Sequence, residues 1–119
     1  MSEKILSGVK VVEMSTYVAG PTCARILGDW GADVIKVESY RGDPVRVLGM
    51  NMLAPTDDEE NPAFFVTNAN KRIIAINQRT EQGKEIMKKL ILEADVFVTN
   101  FRKEALAAME LDYDTLKEK

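Results

Sequence analysis

Short apolar runs alternate with amphipathic segments along most of the chain. Residues 9–12 and 34–37 are dense in valine, which is typical of strands buried on both faces. Between them, Cys23, Leu27 and Trp30 recur at a helical spacing, so we expect this stripe, Cys23 included, to face the core. The pattern predicts a strand–helix–strand unit, and such a unit implies parallel strands.

A regular pattern returns in the second half of the chain. The predicted elements there are a strand over 73–76, a helix over 81–93 capped by Thr80, a strand over 95–99 and short helices over 104–109 and 115–119. The helix over 81–93 has an apolar stripe made of Ile86, Met87, Leu90 and Ile91. Its lysines and glutamates are predicted to face water.

Residues 39–70 have a different character. They hold most of the prolines, several glycines and the acidic run 57–60. This composition predicts a long surface excursion with one short helical piece near residues 64–68. The acidic run lacks the spacing of metal ligands, so we interpret it as a solvated loop.

The order of elements predicts an open, doubly wound α/β sheet, with no second domain within residues 1–119. Such sheets bind ligands at the carboxyl ends of their strands, where the strand order reverses. In this sequence those ends are predicted at residues 15–21, 38–43, 77–80 and 100–103. A binding site is expected among them.

Composition narrows the chemistry. The 119 residues carry 16 basic and 19 acidic side chains, interspersed, which argues against a nucleic-acid-binding face. The absence of histidine and the single cysteine, Cys23, exclude His-based triads and the usual zinc sites. We see neither a signal-peptide pattern nor an apolar run of about 20 residues, and we expect a cytoplasmic chain without membrane contact.

Two candidate sites lie at the first two strand ends. The turn 19–21 places a glycine before a helix, where a ligand can approach the backbone and the helix dipole favours an anion. Glu38 stands where a dinucleotide-binding domain has its ribose-binding acid. The alternative for both is structural: a tight turn and a solvated glutamate.

Two further candidates lie later in the chain. Lys71, Arg72 and Arg79 form a small basic cluster, either simply solvated or facing a polyanion such as a nucleotide phosphate. Asn100 and Phe101 offer an amide and an aromatic face that suit a flat base or a thioester. Their alternative is a turn residue and a core anchor.

Taken together, the segments resemble a known family. The stretch VKVVEMSTYVAGPTCARILGDWGADVIKVE resembles the opening of the class III (CaiB/BaiF-type) CoA-transferases. The later stretch NANKRIIAINQRTEQGKEIMKKLILEADVFVTNFR resembles that family's N-K-R, T-x-x-G and N-F segments. The resemblance spans nearly the whole chain, and it is nearest to the 2-hydroxyacyl-CoA transferases that act on 2-hydroxyisocaproate or phenyllactate.

The resemblance implies an activity and an architecture. Members move CoA from an acyl-CoA to a carboxylic acid without a metal, redox cofactor or prosthetic group. An aspartate attacks the thioester and forms a mixed anhydride, which keeps the acyl group activated. The implied fold has a large Rossmann-like domain and a small domain. Residues 1–119 resemble the amino-terminal part of the large domain, so they are expected to form a partial domain. Two chains are expected to interlock as a homodimer.

The resemblance also implies CoA-binding residues. These are Tyr17, Val18 and Ala19 near the thioester, Ile76 and Arg79 at the adenine and phosphates, Asn100 and Phe101 in the pocket, and Met109 as a further contact. Some members have a glutamine at the position of Val18. Ser39 and Ala108 stand where many members have an arginine, and Arg41 is expected to take over from Ser39.

The family's catalytic aspartate lies beyond the segment that this chain matches. Asp95, Asp112 and Asp114 do not match it, so we expect no transferase activity from this chain alone. Two alternatives remain: a stand-alone CoA- or nucleotide-binding module, and an interaction piece that completes a partner. A piece cut from an interlocked dimer exposes apolar surface, so self-association is expected.

Overall fold

The computed structural model describes residues 3–119 and contains one sheet of four parallel strands in the order β3-β2-β1-β4. The elements are β1 (Lys10–Met14), α1 (Ala19–Asp29), β2 (Asp33–Glu38), a 3₁₀ helix (Pro44–Met52), α2 (Pro62–Asn68), β3 (Lys71–Ala75), α3 (Glu81–Leu92), β4 (Val96–Thr99), α4 (Lys103–Ala108) and α5 (Tyr113–Leu116). The predicted open parallel α/β sheet is confirmed. Within residues 3–119, every helix is too short or too polar to cross a membrane.

Helices cover both faces of the sheet, because successive strand residues point to opposite sides. On one face, Val11 and Val34 pack with Ala24 of α1. On the other face, Val12 and Met14 belong to a larger cluster that α3 and the chain end cover; its buried members are Val12, Met14, Val37, Ile76, Met87, Ile91 and Leu111. The chain runs from β1 outward to β3 and then returns to place β4 on the other side of β1. The strand order therefore reverses between β1 and β4.

The predicted inward stripe of α1 is wrong by one residue. Cys23 is exposed and Trp30 is 55% exposed, whereas Gly20, Ala24 and Gly28 are buried. Small residues face inward because the helix lies close to its neighbours: a Cβ on Gly28 would sit 3.1 Å from the Asn70 carbonyl oxygen. A shift of one position turns a helix by about 100°, so Cys23 and Trp30 lie at the surface, whereas Leu27 of the predicted stripe is half-buried and still packs against the core.

Residues 39–70 are more ordered than a surface excursion. The helical piece expected near residues 64–68 lies within α2, but the 3₁₀ helix was not predicted. Asp43 caps the 3₁₀ helix by accepting a hydrogen bond from the Val45 amide at 3.0 Å, and the Asn61 side chain caps α2. Pro44 and Pro62 occupy first-turn positions, where proline favours a helix instead of breaking one.

The start of α3 is packed against the end of β3. The Thr80 hydroxyl oxygen accepts a hydrogen bond from the Gly83 amide at 3.1 Å, which confirms the predicted N-cap. A Cβ on Gly83 would lie 1.9 Å from the Asn77 carbonyl oxygen, which is far closer than two non-bonded atoms can approach. Residue 83 must therefore be glycine while the Asn77–Thr80 turn keeps its position.

Gly83→Ala is expected to destabilise the chain by about 1–3 kcal/mol, the usual penalty for adding a methyl group to a filled site. Alanine is the better helix former, so helix propensity alone predicts the opposite sign. Urea denaturation followed by circular dichroism measures the difference. Glu85→Ala, an exposed change in the same helix, is the control and is expected to stay within about 0.5 kcal/mol of the wild type. A Gly83→Ala variant as stable as the wild type would contradict the packing described.

Candidate functional site

The carboxyl edge of the sheet opens where β1 and β4 diverge. Asn100 follows β4, and its side-chain amide brackets the backbone of Thr16 after β1. Its Oδ1 accepts from the Thr16 amide at 3.1 Å, and its Nδ2 donates to the Thr16 carbonyl at 2.8 Å. The amide of Asn100 is thus engaged in shaping the β1–α1 loop, which is residues 15–18.

The predicted residues Tyr17, Val18 and Ala19 lie together on this loop and the start of α1. All three are exposed, with Tyr17 at 51% and Val18 at 54%. Tyr17 has a φ of 65°, a left-handed conformation uncommon outside glycine. Its amide donates to Asp43 Oδ1 at 3.0 Å. The amino terminus of α1, the positive end of its dipole, points to the same place.

A small cavity of about 40 Å³ connects this loop to the ends of β2 and β3. It is lined by Ser15, Thr16, Val37, Glu38, Ser39, Gly42, Asp43, Gln78 and Phe101. Phe101 is half-buried and also packs against the larger core cluster. Phe101 therefore combines the two roles considered for it, a core anchor and a wall of the cavity.

A larger cavity of about 240 Å³ adjoins the small one and shares two lining residues with it, Ser39 and Gln78. It brings together three predicted site residues, Arg41, Ile76 and Arg79. Among residues 3–119, neither guanidinium has a carboxylate within 4 Å. Two arginines without counterions beside one cavity have the charge and the donors that suit an anionic ligand.

Three lining residues of the larger cavity were not predicted as site residues: Tyr40, Asn77 and Gln78. Their position was available in the sequence, because all three fall within strand ends predicted to carry the site. No charge or motif set them apart from ordinary loop residues. Their contribution follows from the fold, which aligns the ends of neighbouring parallel strands.

Five predicted residues line neither cavity: Tyr17, Val18, Ala19, Asn100 and Met109. The first four lie on or beside the β1–α1 loop, whereas Met109 lies elsewhere. It is half-buried, follows α4 and packs against the larger core cluster on the α3 side of the sheet. Ala108, where many family members have arginine, is exposed on the same helix. Within the described residues, α4 therefore contributes to the core and not to the cavity walls.

Glu38 fits neither alternative considered for it. It is 6% exposed and forms two hydrogen bonds with Arg46, Nε to Oε2 at 2.9 Å and Nη2 to Oε1 at 3.0 Å. Arg46 also stacks 3.7 Å above the Phe64 ring. With both oxygens engaged, Glu38 holds the 3₁₀ helix against the sheet and is not available to a ribose.

The predicted basic cluster is divided by the fold. Arg72 pairs with Asp33 at the amino end of β2, at 2.6 Å, so it lies at the opposite edge from Arg79. Lys71 points inward, and the nitrogen of its buried side chain lies 2.7 Å from Glu13 Oε2. Of the three residues, only Arg79 reaches the larger cavity.

Four buried charged side chains form a row on the α1 face of the sheet, in the order Lys71, Glu13, Lys36, Asp43; we call it the buried charge row. Lys36 Nζ lies 2.8 Å from Glu13 Oε1 and 3.0 Å from Asp43 Oδ2, and none of the four side chains is exposed. Glu13 Oε2 lies near Lys71 Nζ and Asp43 Oδ2 lies near Lys36 Nζ, but neither oxygen accepts a hydrogen bond of good geometry. Burial lowers the pKa of Lys71, and the Glu13 carboxylate opposes that shift.

Asp95, Asp112 and Asp114, which do not match the catalytic aspartate of the family, each have a structural partner. Asp95 accepts from the Lys10 amide at the amino edge of the sheet, and Asp114 pairs with Lys117. Asp112 caps α5, and the hydrogen bond from the Thr115 hydroxyl lowers the pKa of its carboxyl group. Within residues 3–119, the acidic and thiol side chains form no group suited to hold a metal ion.

The comparisons with known proteins agree with this arrangement. The model of CoA-transferase family III matches residues 6–119. The chain belongs to CoA-transferase family III. The resemblance noted in the sequence is thereby confirmed, and so is the architecture expected from it at the level of the parallel sheet.

Two curated relatives of family III act on 2-hydroxy acids by their names. The (R)-2-hydroxy-4-methylpentanoate CoA-transferase of Clostridioides difficile is 50% identical over 115 residues, which are 97% of this chain and 29% of that protein. The cinnamoyl-CoA:phenyllactate CoA-transferase of Clostridium sporogenes is 44% identical over 97% of this chain and 28% of that protein. The expected likeness to 2-hydroxyacyl-CoA transferases is confirmed.

A solved structure shares the fold. A CAIB/BAIF family protein from Brucella suis superimposes with a TM-score of 0.89 at 39% identity, covering 98% of this chain and 31% of that one. The chain thus spans about three-tenths of the length of its family III relatives.

Proposed function

We propose that this chain provides the CoA-binding surface of a CoA-transferase that moves CoA between an acyl-CoA and a 2-hydroxy carboxylic acid. The observation that carries the proposal is the pair of arginines without counterions, Arg41 and Arg79, beside one cavity at the carboxyl edge. CoA is a polyanion with a diphosphate and a 3′-phosphate, so it matches that charge. Membership in family III supplies the reaction class.

The shape of the site suits an elongated ligand. The phosphates bind at Arg41 and Arg79, and the adenine lies against Ile76. The pantetheine arm then follows the small cavity past Phe101 toward the β1–α1 loop. The thioester end meets Tyr17, Val18 and Ala19, where the positive end of α1 favours a thiolate. Met109 remains a predicted contact that this geometry does not support.

The chemical step follows the family mechanism and needs a carboxylate from outside this chain. An aspartate oxygen attacks the thioester carbonyl, the C–S bond breaks, and CoA leaves as a thiolate while an aspartyl-acyl anhydride forms. The acceptor carboxylate then attacks the aspartyl carbonyl and displaces the donor acid, which forms a second anhydride. The thiolate attacks the acceptor's carbonyl in that anhydride, so the new acyl-CoA forms and the aspartate carboxylate is released. This chain binds and orients CoA, and we expect no transfer from it alone.

Calorimetric titration with CoA tests the binding proposal. We expect CoA to bind, and dephospho-CoA, which lacks the 3′-phosphate, to bind about tenfold more weakly, since one charge-assisted contact contributes about 1.5–3 kcal/mol. Equal affinities for CoA and dephospho-CoA would contradict a contact between the 3′-phosphate and Arg41 or Arg79. Absence of heat and of any thermal shift with CoA would remove binding by this chain, and with it the alternative of a stand-alone CoA-binding module.

A transfer assay tests the missing nucleophile. The chain is mixed with 4-methyl-2-hydroxypentanoyl-CoA and an acceptor carboxylate, and acyl-CoA products are separated by chromatography. We expect the rate to equal that of a protein-free control. Faster transfer would show that a carboxylate of this chain acts as the nucleophile.

The same proposal includes a cytoplasmic location, because a single cysteine suits a reducing compartment.

We also propose that the chain self-associates and that the whole protein forms an interlocked homodimer. Large apolar side chains are exposed on α1, just after it and on the 3₁₀ helix; examples are Ile26, Trp30, Met50 and Met52. Size-exclusion chromatography with light scattering measures the outcome. A clean monomer at all concentrations would contradict self-association and would also weigh against the alternative of an interaction piece.

A further inference from the structure

The β1–α1 loop holds a backbone shape that its sequence does not favour. Tyr17 has a φ of 65°, in the region that left-handed turns reserve mainly for glycine. A non-glycine residue keeps such a conformation only where its surroundings fix it. The question is therefore which groups hold Tyr17 in place.

Three side chains hold the loop by its backbone; Lys36 lies in β2, Asp43 follows β2, and Asn100 follows β4. Asp43 Oδ1 accepts from the Tyr17 amide at 3.0 Å. Lys36 Nζ donates to the Ser15 carbonyl at 3.0 Å. Asn100 brackets Thr16 between them, through both its oxygen and its nitrogen. Three consecutive loop residues are thus fixed from outside the loop.

Asp43 and Lys36 are unusual choices for this task, because both are charged and fully buried. They form one end of the buried charge row, and Lys36 Nζ lies 3.0 Å from Asp43 Oδ2. Exchanging buried ion pairs for apolar residues often leaves stability unchanged or improves it, so stability alone is a weak reason for such a row. Asp43 and Lys36 do share one geometric result, which is the position of the loop backbone.

We propose that Asp43 and Lys36 are positioning residues that fix the β1–α1 loop in the shape that receives the thioester end of CoA. Glu13 holds Lys36 through an ion pair, and Lys71 in turn pairs with the other oxygen of Glu13. The identity of the ligand rests on the proposed function, whereas the shape of the loop is a property of the free chain. The two claims are therefore tested by separate measurements.

The first measurement uses the wild-type chain without ligand. Amide hydrogen exchange and the intraresidue HN–Hα nuclear Overhauser effect of Tyr17 are measured by NMR. We expect the Tyr17 amide to exchange slowly, although the residue is half-exposed and lies in a loop. We also expect a strong intraresidue HN–Hα effect, because these two protons lie closer together at a left-handed φ. Exchange at the rate of a free peptide would overturn the proposal.

The second measurement compares two substitutions at one position. Asp43→Ala removes the acceptor of the Tyr17 amide, whereas Asp43→Asn keeps an oxygen there. We expect Asp43→Ala to lose the slow exchange of Tyr17 and to bind CoA about tenfold more weakly, while residues 39–41 keep their chemical shifts. We expect Asp43→Asn to retain the strong intraresidue HN–Hα effect of Tyr17 and to bind CoA within about threefold of the wild type.

Asp33→Ala is the matched control, because Asp33 is an exposed ion-paired aspartate at the far end of β2. It is expected to leave the Tyr17 amide and CoA affinity unchanged. If Asp43→Ala lowers stability but keeps the Tyr17 exchange rate and CoA affinity, the row is purely structural and the proposal is overturned. If Asp43→Ala does not fold, the wild-type exchange rate and Asp43→Asn still decide. Wild-type chain that binds no CoA would remove the proposed function but leave the Tyr17 test valid.

Discussion

Replacing Arg79 by alanine is expected to weaken CoA binding by about tenfold, and replacing Arg41 as well by about a hundredfold, since each charge-assisted hydrogen bond to a phosphate contributes about 1.5–3 kcal/mol. Both guanidiniums lie at the 240 Å³ cavity and neither has a carboxylate partner within residues 3–119. Their charge is therefore available to a ligand. Calorimetric titration of the single and double variants with CoA measures the effect.

Arg72→Ala is the control for the arginine variants. It removes the same type of side chain from the strand that ends near Arg79, but Arg72 pairs with Asp33 at the opposite edge of the sheet. Affinity is expected to stay within about twofold, as for most surface changes away from a site. CoA binding by the wild type should also weaken as salt is added, because the site is open to solvent. Equal losses for Arg72→Ala and Arg79→Ala would mean that overall charge, not the cavity, attracts CoA.

Glu13→Gln is expected to destabilise the chain by about 3–5 kcal/mol, which is the usual cost of removing one partner from a buried ion pair. Glu13 lies between Lys71 and Lys36, at 2.7 Å and 2.8 Å from their nitrogens. A neutral side chain leaves Lys71 without a carboxylate within 4 Å and leaves Lys36 with Asp43 as its one remaining carboxylate among residues 3–119. Urea denaturation at neutral pH measures the loss in the free energy of unfolding.

Two further variants interpret that result. Glu13→Gln combined with Lys71→Met leaves the balanced pair of Lys36 and Asp43, so part of the lost stability should return. Glu85→Gln makes the same chemical change on an exposed helix face and should alter the free energy of unfolding by at most about 0.5 kcal/mol. A Glu13→Gln variant within 1 kcal/mol or so of the wild type would contradict a tightly coupled row.

The sheet could be predicted because its information is local. The valine-rich runs at β1 and β2 and the N-cap at Thr80 identify elements by patterns that depend on neighbouring residues alone. The face of α1 could not be predicted in the same way. Its small residues face inward because Asn70, far along the chain, approaches Gly28 closely, and helical spacing alone does not distinguish adjacent faces.

The site was partly predictable for a related reason. Arg41, Ile76 and Arg79 fall at strand ends, and the parallel sheet brings those ends together at one cavity. The buried charge row was not predicted, because no local pattern links Glu13, which follows the predicted strand over 9–12, with Lys36 inside the next strand. Only the register of β1 against β2 pairs Glu13 with Lys36, and register is a tertiary property.

Mapping CoA onto the chain by NMR tests the central claim most directly. Titration of ¹⁵N-labelled chain with CoA is predicted to shift the amides of residues 39–41 and 76–79 first and most, with further shifts at residues 16–19 and at Asn100 and Phe101. The amino edge of the sheet around Asp33 and Arg72 should remain unchanged. Shifts confined to that edge or to α5, or no shifts at saturating CoA, would contradict a CoA site at the carboxyl ends of the strands.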